Sequence, residues 1–366
     1  MIYTLTFHHA HNYGAMLQAY ALQQALFKLN INTEIIDYYD TEETIFIKGF
    51  DRWTVHYNLS VLLSYSRVKR AYKRFEEFNK KYLVTTDHFD TLDAIKDKLE
   101  PLSKFVVGSD QLWKCPPGAR LSKFFSLAFL DQYKDAITYA VSMGGYHKLE
   151  KSNYSEFQTM LRKFSHVSVR EKSTCEFLSN EFGIKTTQHI DPVFLIDKED
   201  WATLAEKAVR YSLPKEYIVC YELVPNILTQ RALDKLKILT GLQTVVITRA
   251  GVSKLKSDYV IKDAGPLEFV RLLKNATYVV TTSFHGTAFG NLFNKKTFVI
   301  LPNNSERMMS LLKLLGTECF GLRNIDTIDE LLAIDINYET VNSKILKEQI
   351  RSQRYFVETL GAETLV

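Results

Sequence analysis

The stretch NATYVVTTSFHGTAFGNLFNKKTFVILP, Asn275 to Pro302, decides the fold. An apolar run from Tyr278 to Val280 ends in the turn Thr281-Thr282-Ser283, a helical segment opens at about Gly286, and a second apolar run, Phe298 to Leu301, follows. Strand, helix and strand in so short a span predict a compact βαβ unit. His285 and Gly286 then lie where a strand hands over to a helix. Such a junction presents unpaired backbone N–H groups and the positive end of a helix dipole, a ready seat for phosphate or carboxylate. An imidazole there brings a proton donor to a bound anion, and a pKa near neutrality suits acid–base work. The plainer alternative is a capped helix, with Ser283 bonding backbone amides and His285 filling space.

The first forty residues predict a second βαβ start: a strand from Ile2 to Phe7, a turn from His8 to Gly14, a helix over AMLQAYALQQALFKL, and a returning strand from Thr33 to Tyr38. Asn12 and Gly14 fall in the strand-to-helix turn, where Gly14 lets a backbone approach a ligand or simply tightens the turn. His8, His9 and His11 have no carboxylate or cysteine near them at a recognised ligand spacing, so no metal site is expected. From Phe46 to Leu83 the chain turns basic and tyrosine-rich, a helical insertion whose charges either meet an anionic membrane surface or cover a solvated face.

Further strands end in polar or small residues. Lys104 to Val107 leads into Gly108-Ser109-Asp110-Gln111, and Ala136 to Val141 into Ser142-Met143-Gly144-Gly145. His166 to Val169 leads into Arg170-Glu171, and Gln188 to Ile190 into Asp191-Pro192. Such groups at strand C-termini fit the ligand crevice of an open α/β sheet, with capped turns as the ordinary alternative. Arg170 is either a clamp for two oxygens of a phosphate or carboxylate, or the partner of Glu171 or Asp191 in an ion pair. A new set of strands begins at Tyr217 after a polar helical segment. The expected organisation is therefore a first domain over 1–210 with its insertion at about 46–82, a second over 211–335, and a helical tail over 336–366. Each half is read as a doubly wound α/β sheet, and the substrate is expected in their shared crevice.

With 366 residues, 46% of them apolar, the chain has material for two cores. A net charge of +4 suits small anions and is too weak to argue for nucleic acid. The four cysteines, Cys115, Cys175, Cys220 and Cys319, are scattered without a Cys-x-x-Cys pair, so neither a disulfide framework nor a zinc site is expected. The opening MIYTLTFHHAHNYGA lacks the regions of a signal peptide, and no uncharged apolar run reaches the length of a membrane span, so a cytoplasmic protein is expected.

In order along the chain stand NYGAMLQAYAL, VVGSDQLW, YAVSMG, VSVREKST, HIDPVFL, TTSFHGTAF and RMMSLLKLLG. The series resembles the polysaccharide pyruvyl transferase family over nearly the whole chain, and each motif alone would be weak. The resemblance implies two Rossmann-like domains, similar to the GT-B glycosyltransferases. It implies transfer of the enolpyruvyl unit of phosphoenolpyruvate onto two sugar hydroxyls, giving a cyclic pyruvate ketal on a precursor of a surface polysaccharide such as capsule or exopolysaccharide. Phosphoenolpyruvate enters as co-substrate, no cofactor or metal is implied, and the sugar acceptor is nucleotide- or lipid-linked. A lipid-linked acceptor would bring the protein to the inner face of the membrane, with contact through the basic insertion. The family's histidine motif is matched by SFHG, which gives His285 the catalytic role. Arg170 and Arg307 match cations that hold phosphoenolpyruvate, with Ser283, Gly286 and Thr287 beside them. Asn12, Gly14, Ser109, Asp110, Gln111 and Ser142 are the expected acceptor contacts. Members with an Arg-Leu-His form carry an arginine where this chain has Ser283, so either Arg307, Lys295 or Lys296 is expected to compensate or the substrate is bound differently. Two other functions fit the same architecture: a glycosyltransferase holding a nucleotide sugar with Glu268 and the turn from Thr281 to Gly286, and a glycan-binding component without catalysis.

Overall fold

The computed structural model describes residues 1–39, 59–100, 103–115, 117–145, 149–248, 253–302 and 305–361, with side chains of the insertion helix described from residue 66. Residues 40–58, the first part of the basic insertion, and the last five residues of the tail lie outside this description. The first half runs β1 (Ile2–Leu5), α1 (Tyr13–Lys28), β2 (Thr33–Ile35), α2 (Leu59–Tyr82), α3 (Leu92–Lys98), β3 (Lys104–Asp110), β4 (Asp135–Val141), α4 (Tyr154–Leu161), β5 (Val167–Val169), α5 (Lys172–Phe182) and β6 (Thr186–Gln188). The second runs α6 (Lys198–Ala205), β7 (Tyr217–Tyr221), α7 (Ile227–Thr240), β8 (Gln243–Ile247), β9 (Tyr259–Ile261), α8 (Pro266–Asn275), β10 (Tyr278–Thr281), α9 (Phe284–Leu292), β11 (Lys296–Ile300), α10 (Glu306–Leu315), β12 (Gly321–Leu322), α11 (Ile328–Ala333) and α12 (Tyr338–Leu360).

The strands form two six-stranded sheets, ordered β2-β1-β3-β4-β5-β6 and β12-β11-β10-β7-β8-β9. All pairings between these strands are parallel. Helices cover both faces of such sheets, so the central strands are buried throughout: every residue of β7, and six of the seven in β3. Read from its far edge, the second sheet has the 3-2-1-4-5-6 order of a dinucleotide fold; the first has the related 2-1-3-4-5 order with one more strand. The order reverses between β1 and β3 in one sheet and between β7 and β10 in the other. Ligands of open α/β sheets bind at the carboxyl ends of strands flanking such a reversal.

A single apolar cluster joins the two sheets. It includes Tyr13, Met16 and Leu17 of α1, Trp201 of α6, Tyr221 of β7, Phe269 of α8 and Phe289 of α9. The ring of Tyr13 stacks on Phe269 with centroids 4.6 Å apart, and its hydroxyl donates to the Thr248 and Ala264 carbonyls at 3.2 and 3.1 Å. The insertion helix α2 buries Val68, Ala71, Phe75 and Phe78. Its Arg70 and Arg74 pair with Asp263 of the second half at 3.4 and 3.5 Å, so part of the basic character holds the halves together. The tail helix α12 returns to the first sheet, where Tyr355 donates to the Thr138 carbonyl at 2.8 Å and Tyr139 to Ser352 Oγ at 3.0 Å.

Of the boundaries that differ from the sequence reading, three bear on the site. Helix α1 begins at Tyr13, because Asn12 caps it by accepting from the Gly14 amide at 3.0 Å, and Gly14 is thus inside the helix rather than in the turn. Helix α9 begins at Phe284, two residues early, because Ser283 is its N-cap. Strand β3 continues through Gly108, Ser109 and Asp110 instead of turning there, since Ser109 and Asp110 bond into the buried sheet.

Candidate active site

Four chain segments converge where the two sheets face each other. Arg170 leaves the end of β5; Asp191 follows β6; Phe284 and His285 open α9 after β10; Arg307 lies in the first turn of α10. The first two belong to one sheet and the rest to the other. Both guanidinium groups pack over the Phe284 ring, Arg170 at 4.7 Å and Arg307 at 5.8 Å from its centroid, which brings the two cations to one ring, close enough that Arg170 acts electrostatically on Arg307.

Arg170 is held from all sides. Its Nη1 lies 3.0 Å from Asp191 Oδ2, its Nη2 donates to Ser109 Oγ at 3.0 Å and lies 3.6 Å from Asp110 Oδ1. Ser109 Oγ in turn donates a hydrogen bond to the Ala140 carbonyl at 2.6 Å. His285 Nε2 is 3.5 Å from the same Asp191 Oδ2, at the outer limit of a hydrogen bond. The other ring edge rests on α1: a Cβ built on Gly14 would stand 1.9 Å from His285 Nδ1. Gly14 is thus the residue that leaves room for the imidazole. Arg307 faces Gln111, whose amide oxygen, in the orientation that satisfies both groups, accepts from Nη1 and Nη2 at 3.0 and 3.1 Å.

The electrostatics separate the two arginines. Burial works most strongly against the charge of Arg170, but Asp191 and then Asp110 outweigh it, and the guanidinium is held above its ordinary value. Asp191 is buried too, yet Arg170 and His285 pull its carboxyl below the usual range. Arg307 is shifted the other way, lowered first by burial and then by Arg170. Among the described residues no carboxylate lies within ion-pair distance of it. Next to them Glu171 is buried, and burial raises its carboxyl above the ordinary glutamate value against the pull of Arg170, Ser142 and Arg307. Arg170 Nη1, Asp191 Oδ2, His285 Nε2 and Glu171 Oε1 are buried and complete no aligned hydrogen bond. Three of these atoms face one another in the Arg170–Asp191 and Asp191–His285 pairs, which leaves Glu171 Oε1 as the one of the four without a partner where buried polar atoms are nearly always satisfied.

Other residues singled out from the sequence are occupied elsewhere. Ser283 Oγ accepts from the Gly286 amide at 3.4 Å, and Thr287 Oγ1 donates to the Ser283 carbonyl at 2.9 Å. Gly286 packs on Thr281, where a Cβ would come within 2.3 Å of Oγ1. These three build the helix start, which leaves Phe284 and His285 as N1 and N2 with no intrahelical acceptor for their amides. Asn12 is a cap, and Ser142 Oγ accepts from the Gly144 amide at 3.0 Å. Lys296 opens β11 and Lys295 immediately precedes it, at the opposite end of the sheet from His285, and Lys296 donates to the Leu332 carbonyl, so neither compensates for an arginine at position 283. Glu268 is spent on the Gly265 and Val209 amides at 2.9 and 3.0 Å, which takes it out of any nucleotide-sugar site. Asp191 emerged from the sequence only as an ion-pair partner of Arg170; that it also faces His285 depends on how the two sheets meet. Its signal in sequence is the HIDP motif at a strand exit.

The likenesses to known proteins agree with this architecture. The chain resembles two UDP-GlcNAc 2-epimerase structures over nearly their whole lengths. That of Neisseria meningitidis bound to UDP-GlcNAc is 13% identical, with 98% of this chain and 99% of that one covered and a TM-score of 0.57. That of Methanocaldococcus jannaschii in complex with UDP-GlcNAc and UDP is 16% identical, with coverage of 97% and 99% and a TM-score of 0.54. At such identity they show the fold, a GT-B-like pair of α/β domains. No curated protein sequence matches the chain. The family model for polysaccharide pyruvyl transferase matches residues 12–304, a span that takes in Gly14, Arg170, Asp191 and His285. The chain belongs to the polysaccharide pyruvyl transferase family.

Proposed function

We propose that the protein transfers the enolpyruvyl unit of phosphoenolpyruvate to two hydroxyls of a sugar, forming a cyclic pyruvate ketal on a polysaccharide precursor. The observation that carries this is the meeting of Arg170, Arg307 and His285 around Phe284. Phosphoenolpyruvate carries a carboxylate and a phosphate on one carbon, and two adjacent guanidinium forks match two such anions. Arg307, lacking a carboxylate partner among the described residues, is the cation an incoming anion would neutralise; Arg170 is already paired and serves more as a fixed donor array.

In the reaction a proton moves to the methylene carbon of the enol and leaves an oxocarbenium-like centre at its neighbour. One sugar hydroxyl adds there and releases its proton. The C–O bond to phosphate then breaks, and the second hydroxyl closes the ketal as it loses its own proton, so that one proton replaces the one spent on carbon and the other leaves with phosphate. His285 supplies or relays the first proton, and Asp191, 3.5 Å from Nε2, balances the imidazolium. Arg170, Arg307 and the open amides of α9 hold the leaving phosphate. The phosphate ester is its own activated leaving group, so no cofactor enters these steps.

The acceptor we propose is nucleotide- or lipid-linked. No helix among the described residues is long and apolar enough to cross a membrane. A lipid-linked acceptor would be reached from the cytoplasmic face, with the exposed Lys69, Lys73, Lys80 and Lys81 of α2 toward anionic lipid. The test is phosphate release from phosphoenolpyruvate over a panel of galactose-, mannose- and glucosamine-type acceptors, with transfer of labelled pyruvyl carbon. Release and label transfer that depend on an acceptor support the proposal. Acceptor binding without release would mark a glycan-binding protein, and a requirement for a nucleotide-sugar donor would mark a glycosyltransferase.

A further inference from the structure

We infer that His8, His9 and Asp37 form a binding site for a divalent transition-metal ion of the zinc class, separate from the group around Phe284. The histidines have no carboxylate near them in sequence, and the sheet supplies one. Strands β1 and β2 are parallel neighbours, with Thr4 opposite Ile35. His8, four residues past Thr4, and Asp37, two past Ile35, therefore leave the same sheet edge together. Donor atoms of His8, His9 and Asp37 all lie within 4.8 Å of one another.

The hydrogen bonding of His8 points to a cation. Its ring is fully buried, with Nδ1 3.2 Å from the Thr6 carbonyl oxygen and Nε2 3.0 Å from Asp37 Oδ1. Both partners only accept. A neutral imidazole donates from one nitrogen, so with Nδ1–H on the carbonyl the Nε2 lone pair meets a carboxylate head-on. A second proton or a metal ion resolves that conflict. A carbonyl fixing one nitrogen while the other points at a carboxylate is also how metal-ligating histidines are held. Two ligands about 2.1 Å from a tetrahedral zinc stand about 3.4 Å apart, so the 3.0 Å pair needs to open only slightly.

The surroundings supply the rest of such a site. The Asp37 amide donates to Thr86 Oγ1 at 3.0 Å, and the carboxylate's other oxygen lies 3.4 Å from His88 Nδ1, a partner that would orient it. The Asp37 side chain is 26% exposed, which gives an ion a way in. Two imidazoles and one carboxylate suit zinc or iron(II) better than calcium or magnesium, and leave coordination positions open.

The test reads the ion alone and is independent of the proposed reaction. The full chain, stripped with a chelator, is titrated with Zn²⁺ against a chromophoric competitor. One equivalent is expected to bind, with affinity lowered at least ~10-fold in each of His8→Ala, His9→Ala and Asp37→Asn. His166→Ala, at an exposed histidine, should match the wild type. Absence of stoichiometric binding, or binding unchanged by all three substitutions, would overturn the assignment and leave a His8–Asp37 hydrogen bond. Should the variants fail to fold, Co²⁺ added to the wild type decides: a visible spectrum with imidazole ligation supports the site, and that of the hydrated ion refutes it.

Discussion

Replacing Gly14 with alanine would put a methyl carbon 1.9 Å from His285 Nδ1, 2.3 Å from Cγ and 2.5 Å from Cε1. Ordinary carbon contacts begin at about 3.5 Å, so the ring must retreat by roughly 1.5 Å. Retreat is confined, because His285 is only 7% exposed and its Nε2 already faces Asp191. Such overpacking costs ~1–3 kcal/mol, against a gain of up to ~1 kcal/mol that alanine brings to a helix. Activity should suffer more than stability, since a displacement of ~1 Å in a reacting group can cost ~100-fold in rate. Thermal unfolding and phosphate release are measured together on Gly14→Ala, His285→Ala and the double variant. In the double variant the obstruction is gone, so its stability should return to that of His285→Ala or slightly above, a coupling a double-mutant cycle detects. Wild-type stability and turnover in Gly14→Ala would refute the close approach of the two residues, and with it the placement of the imidazole.

Other perturbations probe the same site from different directions. Arg170→Ala strips the buried Asp191 of its 3.0 Å guanidinium partner and should destabilise the fold by ~3–5 kcal/mol in chemical denaturation, whereas Arg307→Ala, with no carboxylate to strand among the described residues, should unfold near the wild-type midpoint. Glu171→Gln should raise stability at neutral pH, and the gain should vanish as pH falls. The folded carboxyl titrates above its unfolded value, so the native state binds the extra proton and loses stability as pH rises through that window. Asp191 has the opposite sign: its stabilisation holds above the unfolded value of 3.8 and is lost as pH falls through the lower folded one, so Asp191→Asn should flatten the acid limb of the stability profile. Tyr13→Phe removes the hydroxyl shared by the Thr248 and Ala264 carbonyls and should cost about 1 kcal/mol in thermal unfolding.

Elements with strong apolar runs were legible in the sequence: Tyr278 to Thr281, Tyr217 to Tyr221 and the long helix at Tyr338 are each recognised by period and length alone. The short edge strands, Tyr259–Ile261 and Gly321–Leu322, carry too few residues for any period and exist through their pairing with longer neighbours. Arg170 and His285 stood out because each occupies a strand exit or helix start, where side chains reach a crevice, whereas Arg307 was marked by the family resemblance alone. Gly14 under the imidazole, Asp191 between arginine and histidine, and Asp37 beside His8 are products of strand order and domain packing, which fix neighbours far apart in the chain. Ser283, Gly286 and Thr287 show the converse: residues typical of an anion-binding turn are here used to cap the helix and seat it on β10.

The most direct measurement is calorimetric titration of phosphoenolpyruvate into the wild type, Arg307→Ala and His285→Ala. One site should appear in the wild type. Loss of the Arg307 charge should weaken it by at least ~30-fold, the equivalent of ~2 kcal/mol for a truncated buried charge contact. His285→Ala should keep binding while abolishing phosphate release. Equal affinity in wild type and Arg307→Ala, or normal phosphate release without His285, would contradict the account.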